Sequence, residues 1–180
     1  PARHLFEEVD DALSQKLSTL MFEGPLDQLT LTENAQPALM AVSLAVIRVL
    51  EAEGKMDLRK AAKVVAGHSL GEYSALVAAG SLTFGDAVRL LRLRGQFMQE
   101  AVPAGTGAMA ALLMLPEGRL DGIVSEAAQG EVVSGANFNS PSQIVIAGHK
   151  GAVERAADLA KAAGARKAVL LPVSAAFHCA

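Results

Sequence analysis

Cysteine is almost missing from this chain: one, Cys179, occurs among 180 residues. A single thiol excludes an internal disulfide and a thiolate-rich metal site, and it fits a reducing compartment. Tryptophan is absent and aromatic residues make up 4%, which leaves too little for a base-stacking surface. No long run of one charge occurs. Sixteen Lys and Arg face nineteen Asp and Glu, for a net charge of −3 and a pI near 5.8. Nucleic-acid binding needs a basic stripe, so that class is set aside. No stretch reaches the ~18 apolar residues that span a bilayer; the longest, Ala38 to Leu50, is broken by Arg48. The opening Pro1-Ala2-Arg3-His4-Leu5 has no signal-peptide core. The expectation is a cytoplasmic protein that makes no use of a membrane.

Apolar material is abundant. Hydrophobic residues reach 51%, charged residues 19%, and mean hydropathy is +0.31. That excludes a disordered chain and supplies a sizeable core. The length suits one domain, or one domain with an insert. The first residue is not Met, and the chain stops at Phe177-His178-Cys179-Ala180 without a polar tail. Both ends read as cut, so an internal fragment of a longer protein is expected.

Periodicity divides the chain near residue 104. Short helical turns are expected over His4–Asp11 and Gln15–Phe22, with a loop at Gly24-Pro25. Thr32 suits the N-cap of a helix running to Glu53, with Leu39, Val42, Ala45, Val46, Val49 and Leu50 at helical spacing. Pro37 then has to sit in its first turn. Ala62–Ala66 reads as a short buried strand, and Glu72–Ala79 as a helix. Thr83-Phe84-Gly85-Asp86 has capping-box form and opens a helix to about Glu100. Beyond Gly105 the expected order is strand Ala108–Leu115, helix Pro116–Gln129, strand Glu131–Asn137, turn Asn139–Pro141 and strand Gln143–Ala147. Helix Lys150–Ala163 and strand Arg166–Val173 close it. That is β-α-β-β-α-β, the ferredoxin-like order.

The densest chemical signal is Gly67-His68-Ser69-Leu70-Gly71, between the expected strand and helix. It fits G-x-S-x-G, in which a strained turn lifts the Ser hydroxyl above the end of a sheet. A Cβ at Gly67 or Gly71 would crowd that turn. The Leu70 N–H, at a helix N-terminus, points where an oxyanion would form. Ser69 is therefore the candidate nucleophile; the bland alternative is a Gly-flanked turn that happens to hold a Ser.

A Ser nucleophile needs a base, and the chain has four His. His4 reads as a surface residue. His68 should project away from Ser69, and His149 precedes Lys150-Gly151 in an exposed turn. His178 follows an apolar strand at the start of a loop, where catalytic bases occur; its alternative is a buried structural His. Among the arginines, Arg89 and Arg92 suit a solvated helix face. Arg94 points elsewhere and would offer a fork for a carboxylate if it faced the Ser. Two features mislead. Gly105-Thr106-Gly107-Ala108-Met109-Ala110 matches a dinucleotide fingerprint but precedes a strand, so it fails its context. Cys179 beside His178 is not a Cys–His pair, because adjacent side chains point apart.

Taken together, these stretches resemble the malonyl-CoA:acyl carrier protein transacylase family of bacterial type II fatty acid synthesis. The matching blocks are TENAQPAL (Thr32–Leu39), VVAGHSLGEYSALVAA (Val64–Ala79), LRGQFMQ (Leu93–Gln99), AVPAGTGAMA (Ala101–Ala110), NFNSPSQIVIAG (Asn137–Gly148) and LPVSAAFHCA (Leu171–Ala180). The resemblance covers essentially all 180 residues in order.

It implies an α/β-hydrolase-like core, incomplete here, with an inserted ferredoxin-like subdomain. Residues 1–104 would belong to the core, 105–173 to the insert, and 174–180 would return to the core with the catalytic His. Ser69 matches the acylated nucleophile and Leu70 one oxyanion-hole N–H. Arg94 matches the arginine that pairs with the malonyl carboxylate, Met98 an apolar wall of the acyl pocket, and His178 the general base. A second oxyanion donor and a carbonyl that orients the His would come from segments outside these residues.

The implied activity is acyl transfer from malonyl-CoA to acyl carrier protein through a Ser ester, by a monomer, without metal or cofactor. Three other readings remain. A plain esterase would need an acid between Ser and His in the chain and a His-Gly-Gly-Gly segment; the second is absent. An acyltransferase domain of a polyketide synthase would carry a different motif near Phe177-His178. A non-enzymatic module that docks acyl carrier protein is a further alternative.

Overall fold

The computed structural model describes residues 2–102, 105–173 and 176–180. Residues 103 and 104 of the Ala101–Ala110 block, and 174 and 175 of the expected return segment, lie outside the described residues. The chain is a mixed α/β protein and divides into two compact units, Pro1–Phe97 and Met98–Ala180.

The first unit is helical among its described residues. It contains α1 (Ala2–Leu13), α2 (Leu17–Glu23), α3 (Leu26–Leu29), α4 (Thr32–Ala52), α5 (Leu58–Ala61), α6 (Gly71–Ala78) and most of α7 (Phe84–Ala101). Its core joins Leu5 and Val9 of α1, Leu17 of α2, Met40, Ala41 and Leu44 of α4, and Phe84, Val88 and Leu91 of α7. Those spacings of three and four residues are the buried stripes of amphipathic helices. Thr83 caps α7: its Oγ1 accepts the Asp86 N–H at 3.2 Å. The hydroxyl in turn donates to the Asp86 carboxylate, and with Arg89 it holds that carboxyl below its ordinary value.

Several expectations change here. Thr32 is the first residue of α4, and Leu31 occupies the N-cap position without a side-chain bond. Pro37 therefore lies in the second turn, where its missing N–H leaves the helical ladder one bond short. The helices α3 and α5 were not anticipated. Asp57 caps α5 by accepting the Arg59 N–H at 3.1 Å.

The strand expected over Ala62–Ala66 is not formed. The segment has no ladder partner among the described residues, and Val64 is 84% exposed. An apolar run reads as a buried strand only where neighbours supply its hydrogen bonds. Against the sequence expectation, α4 is also long and apolar enough, by length and composition, to cross a membrane. A core helix passes the same test, and one face of α4 packs in the core just described.

The second unit holds β1 (Gly107–Leu113), α8 (Leu120–Ala128), β2 (Val133–Ser140), β3 (Gln143–His149), α9 (Lys150–Ala162) and β4 (Lys167–Leu170). The sheet order is β2-β3-β1-β4, and every neighbouring pair is antiparallel. Alternation along β1 separates two apolar faces. Ala108, Ala110 and Leu112 meet α8 and α9, while Met109 and Ala111 meet Leu171, Ala176, Phe177 and Cys179. The Ala-rich stripe Ala152, Ala156, Ala157 and Ala160 lets α9 approach the sheet closely.

Three boundaries move in this unit. The helix expected from Pro116 begins at Leu120, because Gly118 takes φ +75°. The β2–β3 turn falls at Pro141-Ser142, and β2 runs on to Ser140. The last strand ends at Leu170, two residues before Pro172, which has no N–H to donate.

Candidate active site

Ser69 adopts φ +54°, a left-handed conformation that costs a non-glycine residue energy and marks strained functional turns. Gly67 makes the turn possible. A Cβ there would lie 1.8 Å from the Gly71 carbonyl oxygen and 2.3 Å from the Glu72 nitrogen. Gly71 is different from expectation, since a Cβ on it would meet nothing within 4 Å. The N–H groups of Gly71, Glu72 and Tyr73 donate to the carbonyls of His68, Ser69 and Leu70 at 2.9–3.2 Å. The Leu70 N–H stays outside that ladder, at the positive end of α6. The turn and helix of the G-x-S-x-G motif are thus present, while the segment before them forms no strand among the described residues.

Arg94 comes to this Ser from α7. Its Nη2 donates to Ser69 Oγ at 2.9 Å, and its Nη1 donates to Gln36 Oε1. Gln36 is 4% exposed, and its Nε2 donates to Thr32 Oγ1 at 2.8 Å. A buried amide with both ends engaged cannot swing away, so it fixes the guanidinium plane. Among the described residues Arg94 makes no ion pair; its partners are a neutral amide and a hydroxyl. A half-buried cation held by neutral groups beside a strained Ser can accept an anion as a further partner.

A second knot holds α7 against the start of α4. Arg92, with 16% of its side chain exposed, donates to Asn34 Oδ1 at 2.8 Å and to Gln15 Oε1, and lies 3.7 Å from Glu33. Burial pushes its guanidinium pKa down, and Glu33 opposes that shift. Arg92 was expected on a solvated face; it is instead a half-buried strut. Arg89 does lie exposed, paired with Asp86 at 2.8 Å. On the flank of the crossing, Gln96 Nε2 donates to Glu33 Oε2 at 3.1 Å.

The structure therefore brings Ser69, Leu70 and Arg94 together in the first unit. Met98, half-buried on α7, and His178 belong to the second. His178 is exposed and has φ +59°. The side chains on either side of it, Phe177 and Cys179, pack under the sheet, which anchors the segment. Burial raises the Cys179 thiol pKa, in keeping with an inert residue. His4 bonds Glu7 at the surface at 3.0 Å, and His149 Nδ1 accepts the Val132 N–H at 2.9 Å. Gly107, in the rejected dinucleotide match, opens β1. Sequence reasoning gave no role to Gln36, Asn34 or Gly95. A signal existed for the first two, in polar residues placed on the apolar face of α4.

Comparison with known proteins fits this arrangement. A family model described as acyl transferase domain matches residues 2–180. The malonyl CoA-acyl carrier protein transacylase of Escherichia coli K12 is 54% identical over 175 residues, 97% of this chain and 55% of the relative. The one from Bacillus subtilis strain 168 is 51% identical over 178 residues, 98% of this chain and again 55% of the relative. The chain thus spans about half the length of these curated relatives.

Among solved structures, the acyl-carrier-protein-S-malonyltransferase of Bartonella henselae superposes with TM-score 0.93 at 58% identity. That match covers 98% of this chain and 56% of the other. A malonyl-transacylase in complex with a type II PKS acyl-carrier protein gives TM-score 0.93 at 50% identity, over 99% of this chain and 57% of the other. A strained Ser on a Gly-flanked elbow, with the family match running from residue 2 to residue 180, leaves one assignment: this chain belongs to the acyl transferase domain family.

Proposed function

We propose that the protein containing this chain transfers a malonyl group from malonyl-CoA to the phosphopantetheine thiol of acyl carrier protein, supplying fatty acid elongation. The observation that carries this reading is the Arg94 guanidinium 2.9 Å from Ser69 Oγ. A cation that close to the hydroxyl is within reach of a carboxylate at the far end of a short acyl group on Oγ, which supports the reading.

His178 removes the Ser69 proton as Oγ bonds the thioester carbon. The Leu70 N–H stabilises the oxyanion, together with a donor from outside this chain. The C–S bond then breaks, and the leaving CoA thiolate takes the proton from the imidazolium. The carrier thiol enters and gives its proton to His178 as its sulfur bonds the ester carbon; the ester C–O bond then breaks, and Ser69 Oγ takes the proton back from the imidazolium. Met98 forms an apolar wall of the acyl pocket. Arg94 receives the distal carboxylate and rejects neutral acyl groups, which would leave its charge unpaired. No metal or cofactor enters.

On this reading residues 1–104 are part of an α/β-hydrolase-like core and 105–173 an inserted ferredoxin-like subdomain. Residues 174–180 return to the core with the catalytic His. The β2-β3-β1-β4 antiparallel order supports the second of these assignments. The protein works in the cytoplasm as a monomer.

The test uses full-length protein and labelled malonyl-CoA. A malonyl ester should appear on the Ser69 peptide, vanish in Ser69→Ala, and form about 10²–10⁴-fold more slowly in His178→Ala. Acyl carrier protein should discharge it faster than water does. Label on another residue, or release to water alone, would overturn the assignment.

A further inference from the structure

Gly95 follows Arg94 on α7, at the point where that helix crosses the first turn of α4. A Cβ built on Gly95 would lie 2.4 Å from Glu33 Cα, 2.6 Å from Glu33 N and 2.7 Å from Thr32 O. All three atoms are backbone, so no rotamer change relieves the overlap. Ordinary carbon contacts are about 3.5–4.0 Å, so the smallest side chain would push the helices apart by roughly 1 Å. The crossing is tied on both sides of Gly95, by Arg92 to Asn34 at 2.8 Å and by Gln96 to Glu33 at 3.1 Å. It therefore cannot slide freely to make room. Gln36, which holds Arg94, is bonded to Thr32 in the same turn.

We infer that Gly95 is a positioning residue: its missing side chain sets the distance between α7 and α4 at which Arg94 reaches both Gln36 and Ser69. The inference rests on the reading of Arg94 as the carboxylate clamp. Arg94 makes the contact, and Gly95 decides where the guanidinium stands. Because the clamp acts on malonyl and not on acetyl groups, displacing it alters acyl selectivity and not acyl transfer in general.

The experiment compares Gly95→Ala, Gly85→Ala and Arg94→Ala with the parent full-length protein. Gly85 lies on the same helix, and a Cβ there meets nothing nearer than Arg89 Nη2 at 3.6 Å. It therefore controls for the higher helix propensity of Ala. The readout is the ratio of kcat/KM for malonyl-CoA over acetyl-CoA, which is independent of the fraction of protein folded. Far-UV circular dichroism checks folding.

Misplacement by about 1 Å costs up to roughly 10²-fold, so Gly95→Ala should lower the ratio at least about tenfold, with Gly85→Ala unchanged. A ratio held in Gly95→Ala but lost in Arg94→Ala overturns the positioning role and leaves the clamp standing. A ratio held in Arg94→Ala overturns the clamp, and the inference with it. An equal fall for both substrates in Gly95→Ala, or failure of that variant alone to fold, makes Gly95 structural and also overturns the role.

Discussion

On the proposed reading, replacing Arg94 with Ala removes the group that would separate a malonyl from an acetyl thioester. In the free protein, the guanidinium spends one arm on Gln36 and one on Ser69 Oγ. When Ser69 carries an acyl group, its Oγ becomes an ester oxygen, a poorer acceptor, and the Nη2 N–H that it accepted is free to turn to a better one. A carboxylate at the end of that acyl group then gains the freed arm and the remaining N–H donors. Bonds to charged groups contribute about 1.5–3 kcal/mol each, and a forked pair is stronger than one. Arg94 is half-buried, so the lower part of that range applies. Two such bonds give roughly 3–4 kcal/mol, or between two and three powers of ten in rate.

Arg94→Ala should therefore cut kcat/KM for malonyl-CoA by that factor. Acetyl transfer should stay level or rise, because a neutral acyl group no longer faces an unpaired cation. Arg94→Lys should recover part of the preference, since a point charge lacks the planar fork. The assay is transfer to acyl carrier protein with each thioester under matched conditions. An unchanged malonyl-to-acetyl ratio would refute the reasoning. A parallel fall for both substrates would make Arg94 a scaffold residue.

Arg92→Leu should destabilise the protein by about 1–3 kcal/mol, because it takes the charged donor from the buried Asn34 Oδ1, while Gln15 at the surface can turn to water. A urea midpoint within error of the parent would count against the half-buried strut. For Cys179, burial lifts the thiol pKa, so the thiolate fraction at pH 8 should be below that of an open cysteine. Iodoacetamide alkylation followed against pH should show its midpoint above about 8.5, the free-thiol value, and a midpoint below that would contradict the packed environment.

How far the sequence carries depends on how local each interaction is. The elbow is legible because its geometry is written in five consecutive residues: Gly67 clears the space and Ser69 takes the strain. The order of elements after Gly105 is legible for a similar reason. A period near two changes to one near 3.6 within windows of ten residues. Helix α7 announces its start through Thr83 and Asp86, three residues apart. The failures are equally physical. Helix α8 starts late because Gly118 takes a positive φ, which composition alone does not reveal. Ala62–Ala66 has the composition of a buried strand, yet a strand is a property of a pair, and the pairing is not in these residues.

The candidate site divides along the same line. The candidate nucleophile is a local feature, and its residues stand side by side in the chain. The proposed clamp is a tertiary one. Arg94 and Gln36 are 58 positions apart, as are Arg92 and Asn34, and Gln96 and Glu33 are 63 apart. No periodicity rule links such pairs. They meet because a glycine permits two helix backbones to touch and buried polar groups then have to find partners. An apolar crossing of the same shape would pack as well but would leave no donor aimed at Ser69. The polar residues on α4, which lower its value as a core helix, are therefore the residues that give the crossing a direction. A short elbow motif can be shared by enzymes with different acyl groups, because it specifies only where the ester forms. On the proposed reading, what distinguishes one acyl group from another lies in the crossing, where a methyl group added at position 95 would meet the α4 backbone and displace the Arg94 guanidinium.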